Sequence, residues 1–545
     1  MALAGRKQCC AGDVVLESAA ARMRHVRHEP EKTVLYEVVL GWLETFLAYA
    51  REAYERSLPR YVERELRDFL RCGVLSFGFA RGFCKACGAS IVVALSCKCR
   101  GSCPSCGARR MCQTAANLVD LVVPDQPIRQ WTVSLPFALR LPVARDSALL
   151  SAVLRIIVSE IDKLYKRLGQ ERAVRSGATG IVSATQLFGG SLNLNPHFHL
   201  LAVDGVFNTN LEGTAAVFTP TRAPGASEVR ELAQRVHERV VRMMRRRGLL
   251  RDEADDEGAE PRPIDACAQL SLRLGKLGHV DERGVVHEPD ADEARFGQRG
   301  RSPWSGEHEG WNIHAGVTVK QGDADGRERL CRYVLRHPLS LQRLAWTKDG
   351  RLSYEVKYPR SPKQTHLLLD PVQFMARLAS LIPPPRHPLV RYFGVLSSAS
   401  KWRPHVVPAV PAHRRCRSTC AHSPDEAVKA STLKLTGASA CLNAEPQEPQ
   451  GGTAQQPAPE RRSRGCVQAA TRYISWADLL KRVYDIDALS CPRCSGRLRI
   501  ISLIMEQAVV RRTPRSLDLP SEPPVVARAR APTLFDDPPP DYDAA

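Results

Sequence analysis

The stretch Asn195-Pro196-His197-Phe198-His199-Leu200-Leu201-Ala202-Val203 constrains this chain more than any other, because its alternation fits only a strand with two unlike faces. Side chains alternate along a strand, so His197 and His199 point the same way while Phe198, Leu200 and Ala202 point the other. The strand must therefore belong to a sheet packed on one side and presenting two imidazoles on the other. Asp204-Gly205 ends it with a turn. Two imidazoles on one face make half a metal site; the plainer alternative is a pair of half-buried histidines.

The neighbouring segments supply the rest of such a sheet. Gly180-Ile181-Val182-Ser183-Ala184-Thr185-Gln186 is a second strand, and a turn at Gly189-Gly190 would lay Gln186 beside the histidines. Trp131 to Phe137 has the β-rich composition of a core strand. Ala148 to Leu168 returns to helical period through Leu149, Val153, Ile156, Ile157, Ile161 and Leu164. Strands, a helix and a hairpin in this order predict an α+β domain with an antiparallel sheet. A third metal donor comes from Gln186 or from His314, which sits in the β-like run Trp311 to Val317.

Downstream, Arg327-Glu328-Arg329-Leu330-Cys331-Arg332-Tyr333-Val334-Leu335-Arg336-His337-Pro338 is a basic helical segment stopped by proline. One tyrosine among Arg329, Arg332, Arg336 and His337 is either a packed helix residue or a nucleophile in a cationic setting. A phenol with an unperturbed pKa of about 10 needs such a setting to act.

Upstream, Cys84-x2-Cys87 and Cys103-x2-Cys106 are separated by fifteen residues, within the range of four-thiolate zinc sites. Ile91 to Leu95, between the pairs, has the look of a ribbon strand. The spacing predicts one structural zinc on Cys84, Cys87, Cys103 and Cys106, with free buried thiols as the alternative. Cys97, Cys99 and Cys112 are left unassigned, and Cys491-Pro492-Arg493-Cys494 offers half a knuckle with no second pair nearby. Arg109 and Arg110 are placed to meet phosphate.

Gln186 to His199, the Tyr333 segment and the cysteine pairs together resemble the His-hydrophobic-His (HUH) rolling-circle transposases of bacterial insertion sequences, over roughly residues 33 to 400. The resemblance implies an antiparallel palm-like sheet with helices mainly on one face, preceded by a helical and zinc-ribbon domain. It implies that Tyr333 attacks a phosphodiester of single-stranded DNA to give a 5′-phosphotyrosine, with Mg²⁺ or Mn²⁺ on His197, His199 and Gln186. Arg109, Arg110, Arg329, Arg332 and Arg336 are the implied DNA contacts. Two-tyrosine members carry a second tyrosine one turn earlier; this chain has Arg329 there and resembles the single-tyrosine branch. Strand transfer would then reuse Tyr333, employ the free 3′-OH, or recruit a second subunit in a homodimer. A plasmid replication initiator or relaxase shares the chemistry, and a zinc-ribbon DNA-binding protein without cleavage is the alternative from another class.

Composition agrees with a nucleic-acid partner: 78 Lys and Arg against 58 Asp and Glu leave a formal charge of +20 over 545 residues. No apolar run spans a membrane and no apolar leader follows Met1, which predicts a cytoplasmic protein whose 18 cysteines favour metal over disulfides; the resemblance implies a bacterial, nucleoid-associated one. The expected organisation is an arm (1–32), a helical and zinc-binding domain (33–118), a catalytic domain (119–400), a linker (401–466), a small helical Cys-x-x-Cys segment (467–512) and a Pro-rich tail (513–545). Within the second domain the apolar periods at Leu35 to Leu47 and at Tyr61 to Leu70 predict two helices. Within the third, Ser227 to Arg247 predicts a helix ending in Arg242, Arg245, Arg246 and Arg247, a candidate DNA contact or a solvated helix end, and Arg251 to Glu260 a surface insertion.

Overall fold

Thr33 caps the first long helix by accepting the backbone N–H of Tyr36, and the apolar period behind it forms α1 (Val34–Tyr54), followed by α2 (Arg60–Phe69). A computed structural model describes residues 29–209, 216–249, 262–272, 275–287, 303–357, 359, 361–411, 473–516, 519–520 and 522–530. The expected arm up to residue 28, the insertion at 251–260, the linker from 412 to 466 and the tail from 531 lie outside these. Residues 409–474 form one unit, and residues 1–408 with 475–545 form the other, which carries the described helices and strands.

After α2 come the hairpin β1 (Phe79–Cys84) and β2 (Ser90–Ala94), then α3 (Pro104–Leu121). The chain continues through β3 (Ile128–Ser134), α4 (Phe137–Arg145) and α5 (Ser147–Gln170). The hairpin β4 (Gly180–Phe188) and β5 (Leu194–Val203) follows, then β6 (Gly205–Thr209) and β7 (Ala216–Pro220). Next are α6 (Ala226–Arg246), α7 (Pro263–Leu272), β8 (Lys276–Val280), β9 (Val286–His287), β10 (Ser305–His308), β11 (Trp311–Val319) and α8 (Ala324–Val334). The remaining elements are β12 (Leu344–Trp346), β13 (Leu352–Glu355), β14 (His366–Leu369), α9 (Pro371–Leu381), β15 (Val390–Gly394), α10 (Arg403–Val406), α11 (Trp476–Tyr484), β16 (Leu498–Ile504) and α12 (Gln507–Ser516).

The site is carried by a six-stranded sheet in the order β10-β11-β3-β5-β4-β15, antiparallel at every pairing. Its two faces have different tenants. Trp131, Val133, Phe198, Leu200, Ala202, Ile181, Trp311 and Ile313 point into the main core, against α5 and α6. Ile128, Val182, Ala184, Leu201 and Val203 point the other way, under Ala115 and Leu118 of α3 and Leu330, Cys331 and Val334 of α8. The expectation of helices mainly on one face is therefore corrected. On α8 Gly326, Leu330, Cys331 and Val334 form an apolar and small-residue stripe that has to be covered, with the buried Arg327 beside it paired to Asp125, and each fully buried aliphatic adds about 1.5–3 kcal/mol.

Two further expectations change. The segment 467–512 is not separate, since β16 pairs antiparallel with β1 and completes a three-stranded sheet β16-β1-β2. Residues 522–530, expected as tail, run against α1: Ala527 N–H donates to Leu40 O at 3.1 Å, Arg530 N–H to Thr45 Oγ1 at 3.1 Å, and the Arg530 guanidinium covers Trp42.

Candidate active site and metal centres

The β4–β5 hairpin sets the register that builds the site. Gly189 N–H donates to Asn193 O at 2.8 Å, and a side chain at Gly189 would run into the Asn193 amide, so the turn needs glycine there. The register then pairs Gln186 with His197 and Ala184 with His199, while β3 pairs Ser134 with His197 and Thr132 with His199. Directly paired residues share a face, so Gln186, His197 and His199 stand together on the α8 side of the sheet.

His197 and His199 are 8% and 3% exposed, and their Nε2 atoms are 3.2 Å apart. His197 Nδ1 lies 2.7 Å from Asn195 O, which fixes the proton on Nδ1 and leaves Nε2 with a free lone pair. Gln130 Nε2 donates to His199 Nδ1 at 2.8 Å, which leaves the His199 proton on Nε2, facing His197 Nε2; with the amide turned over, its oxygen would take an Nδ1 proton and free that nitrogen. Burial pushes His197 down to about 4 and His199 to about 2, so both are neutral and ligand-competent at physiological pH.

Gln186 donates from Nε2 to Val334 O at 2.7 Å, the last carbonyl of α8. Turning the amide over would set two carbonyl oxygens against each other, so Oε1 must face away, and it is buried without a hydrogen-bond partner. An ion on both Nε2 atoms would give that oxygen a role. Two nitrogens at adjacent corners of an octahedron with 2.1 Å bonds lie about 3.0 Å apart, close to the 3.2 Å seen here. His314 pairs with Thr132, whose other neighbour is His199, so it stands two strand spacings away, about 10 Å. Among the described residues no third His, Cys, Asp or Glu joins the imidazole pair.

Tyr333 closes the site from α8. Asp323 caps that helix by accepting the Gly326 N–H at 2.7 Å, and the buried stripe on the sheet turns Tyr333 toward the histidines. Its ring stands edge-on to His199 with centroids 5.8 Å apart, yet the residue is 41% exposed. Two cations attend the ring: Arg336 at 4.7 Å and Lys357 at 5.5 Å. Arg336 also covers Phe188 and has a buried nitrogen, Nη1, without a partner. Arg329 is exposed one turn before Tyr333 and Arg332 is half-buried. Lys357, Gln130 and Asn195 escaped sequence reasoning; Asn195 stands two residues before His197, but Gln130 is brought in by the β3–β5 pairing and Lys357 by the segment after β13, which no sequence signal marks.

The four cysteines expected to hold one zinc do not converge. Cys103 and Cys106 gather with Cys72 and Cys97, whereas Cys84 and Cys87 gather with Cys491 and Cys494. The reason is length: β1 spans six residues, about 20 Å at 3.4 Å per residue, with Cys84 at the hairpin tip and Cys72 and Cys97 beyond its base. In the basal cluster Cys72–Cys106, Cys97–Cys106 and Cys72–Cys103 sulfurs lie 3.7, 3.5 and 3.6 Å apart. A tetrahedron with 2.3 Å Zn–S bonds has edges of about 3.8 Å, while a disulfide requires about 2.05 Å. Lys98 N–H donates to Cys106 Sγ at 3.3 Å, and Cys103 with the other thiols holds the Cys106 thiol well below its ordinary value. Cys99 is turned away, its Sγ donating to Glu65 O, and Cys112 joins neither cluster.

The expected phosphate contacts of the zinc domain have protein partners. Arg110 donates to Lys98 O at 2.7 Å, bracing the cysteine loop, and Arg109 lies over Trp476 of α11. From the same α11, Arg482 forks onto Asp120 of α3 at 2.7 and 2.9 Å and reaches Glu328 of α8 at 2.9 Å. Gly107 of α3 packs on His337, just past α8, so closely that a Cβ would sit 2.2 Å from the His337 ring. Between these helices and β4 a cavity of about 210 Å³ is lined by Arg100, Arg110, Gln186, Arg336 and His337.

Comparison with protein families agrees with both halves of this architecture. Residues 43–135 match the family model "Transposase zinc-binding domain" (Zn_Tnp_IS91), and residues 180–403 match Y2_Tnp, described as "Putative transposase". The first match contains the basal cysteine cluster and runs through β3, a central strand of the six-stranded sheet; the second contains Gln186, both histidines and Tyr333. Together the two matches identify the chain as a transposase with a zinc-binding domain ahead of its transposase domain. It is thus a DNA-binding protein with structural zinc. Searches of curated proteins and of solved structures return no match. No helix among the described residues is long and apolar enough to cross a membrane.

Proposed function

We propose that this transposase cleaves and rejoins single-stranded DNA through Tyr333, moving its element by a rolling-circle route. The observation that carries the reading is the edge-on contact between the exposed Tyr333 and the buried, neutral His199. A packed structural tyrosine has no need of a partnerless amide oxygen, two buried neutral imidazoles and two cations around it.

In this mechanism the Tyr333 oxygen bonds to the scissile phosphorus as the bond to the 3′ oxygen breaks. The phenolic proton passes to solvent and the departing oxygen takes up a proton, leaving a 5′-phosphotyrosine and a free 3′-OH. His197, His199 and Gln186 would hold Mg²⁺ or Mn²⁺, which supplies Lewis-acid polarisation of a nonbridging phosphate oxygen. Val334 O orients Gln186, Asn195 O orients His197, and Gln130 orients His199. Arg336 and Lys357 offset charge developing around the phosphate, and Arg329, Arg332, Arg109 and Arg110 extend the basic surface for the strand. With Arg329 in place of a second tyrosine, strand transfer reuses Tyr333, the 3′-OH or a second subunit. The organisation into a zinc-binding part and a catalytic part follows the two family matches.

Purified protein incubated with single-stranded oligonucleotides from the element's ends should form a denaturation-resistant adduct that requires Mg²⁺ or Mn²⁺ and is lost in Tyr333→Phe. Binding with no adduct on either end would leave a zinc-ribbon DNA-binding protein without nuclease function.

A further inference from the structure

Both family matches stop short of Cys491 and Cys494, yet these two residues complete a cluster whose other half lies inside the zinc-binding domain. We propose that Cys84, Cys87, Cys491 and Cys494 form a second four-thiolate zinc site, assembled from opposite ends of the chain, that clamps the C-terminal segment onto the ribbon and onto the helix bearing Tyr333.

The sulfur geometry is that of a metal site. Cys84 and Cys494 sulfurs are 3.5 Å apart and Cys87 and Cys491 sulfurs 3.6 Å, across sequence separations of 410 and 404 residues. These match the tetrahedral edge of about 3.8 Å for zinc thiolates and exceed any disulfide. The two Cys-x-x-Cys turns are also built alike. Gly88 N–H donates to Cys84 O at 2.9 Å and Ser495 N–H donates to Cys491 O at 2.8 Å. The residue after each second cysteine is left-handed, Gly88 at φ 70° and Ser495 at φ 60°. Gly496 N–H donates to Cys494 Sγ at 3.4 Å, an N–H aimed at a sulfur as in the basal cluster. A Cβ on Gly496 would press on the sulfurs of Cys84 and Cys494 at 3.2 Å, so the turn is shaped around them.

The apolar contacts at this end are too few to hold a terminal segment alone, being Cys84, Cys491 and Leu498 with Cys87, Ala89 and Ile91 around them. A metal would supply the missing stability. What it holds matters, because β16 leaves the knuckle to pair with β1, and α11 enters it carrying Arg482, the bridge between Asp120 of α3 and Glu328 of α8. Glu328 is five residues before Tyr333.

Zinc content of purified full-length protein, by mass spectrometry of the metal, tests this. Two equivalents per chain are expected, falling to one in Cys491→Ser/Cys494→Ser; one equivalent in the wild type, or two retained in the variant, overturns the site. If the serine variant does not fold, Cys494→His replaces it, because Cys494 is exposed and zinc accepts imidazole. Loaded with cobalt, that variant should still bind two equivalents but with weaker thiolate-to-cobalt absorption, and an unchanged spectrum overturns the assignment. For the clamp itself, amides of α8 should exchange hydrogen faster when the second equivalent is lost; exchange unchanged in α8 overturns that half. None of these readouts depends on whether Tyr333 cleaves DNA.

Discussion

Gln186 and Val334 are joined by a 2.7 Å hydrogen bond from the amide nitrogen to the last carbonyl of the tyrosine helix, and this one contact fixes both the direction of a partnerless oxygen and the height of Tyr333 above the sheet. Gln186→Ala should therefore weaken Mn²⁺ binding by about 10–100-fold and slow adduct formation at limiting metal. Gln186→Glu should bind the ion more tightly. Mn²⁺ titration followed by electron paramagnetic resonance decides it, and equal affinity in all three proteins would remove Gln186 from the ligand set.

Arg336 faces the Tyr333 ring at 4.7 Å and lowers the proton affinity of both histidines by its charge. Arg336→Ala should cut the single-turnover rate of adduct formation by about 10²–10³, while Arg336→Lys recovers part of it. A loss seen only in oligonucleotide affinity would reassign Arg336 to strand binding.

Burial holds His197 near 4 and His199 near 2, against about 6.5 in an unfolded chain. The unfolded state thus binds more protons from pH 6.5 down to the folded values, so stability is complete above about 6.5 and is lost as pH falls toward 4. Each pH unit carries about 1.4 kcal/mol per histidine. Urea midpoints measured without added Mg²⁺ or Mn²⁺ should fall with acidification less steeply in His197→Gln/His199→Gln than in the wild type; parallel slopes would contradict the burial of two neutral imidazoles.

Two glycines give opposite expectations for one substitution. Gly107→Ala drives a methyl to 2.2 Å from His337 and should destabilise by about 1–3 kcal/mol, with slower adduct formation because His337 follows the tyrosine helix. Gly41→Ala, in α1 with nothing within 4 Å of its Cβ, should stabilise by about 0.5–1 kcal/mol. Denaturant midpoints for both variants settle the pair.

Arg155, Arg239, Arg242, Arg246 and Arg247 line one opening between α5 and α6, on the face of the sheet away from Tyr333. If DNA tracks there, Arg242→Ala/Arg246→Ala weakens binding to all sequences alike and lowers the salt slope by about two. An unchanged slope makes it a solvated helix end.

The hairpin that brings Gln186 beside the two histidines was legible because it is local. Alternation in His197 to Ala202 and the Gly189-Gly190 turn are short-range signals, and they led to a hairpin with Gln186 opposite His197. The cysteine half was not, because spacing along the chain says nothing about which pairs meet in space. Cys84-x2-Cys87 and Cys103-x2-Cys106 looked like one site until the length of the β1–β2 hairpin set them at opposite ends, while Cys72 had no partner in sequence to mark it. The second layer of helices was hidden likewise: the apolar stripe of α8 was read for its tyrosine, and the surface it covers is formed by residues of β3, β4 and β5.

The pairing of β1 with β16 also sets an order of events at the ribosome. Strand β1 emerges early but its neighbour on one side is made only after some four hundred further residues, so the ribbon is among the last parts of the molecule to finish. A chain that ended before β16 would leave the β1 edge unpaired and Cys84 and Cys87 without the two sulfurs that face them.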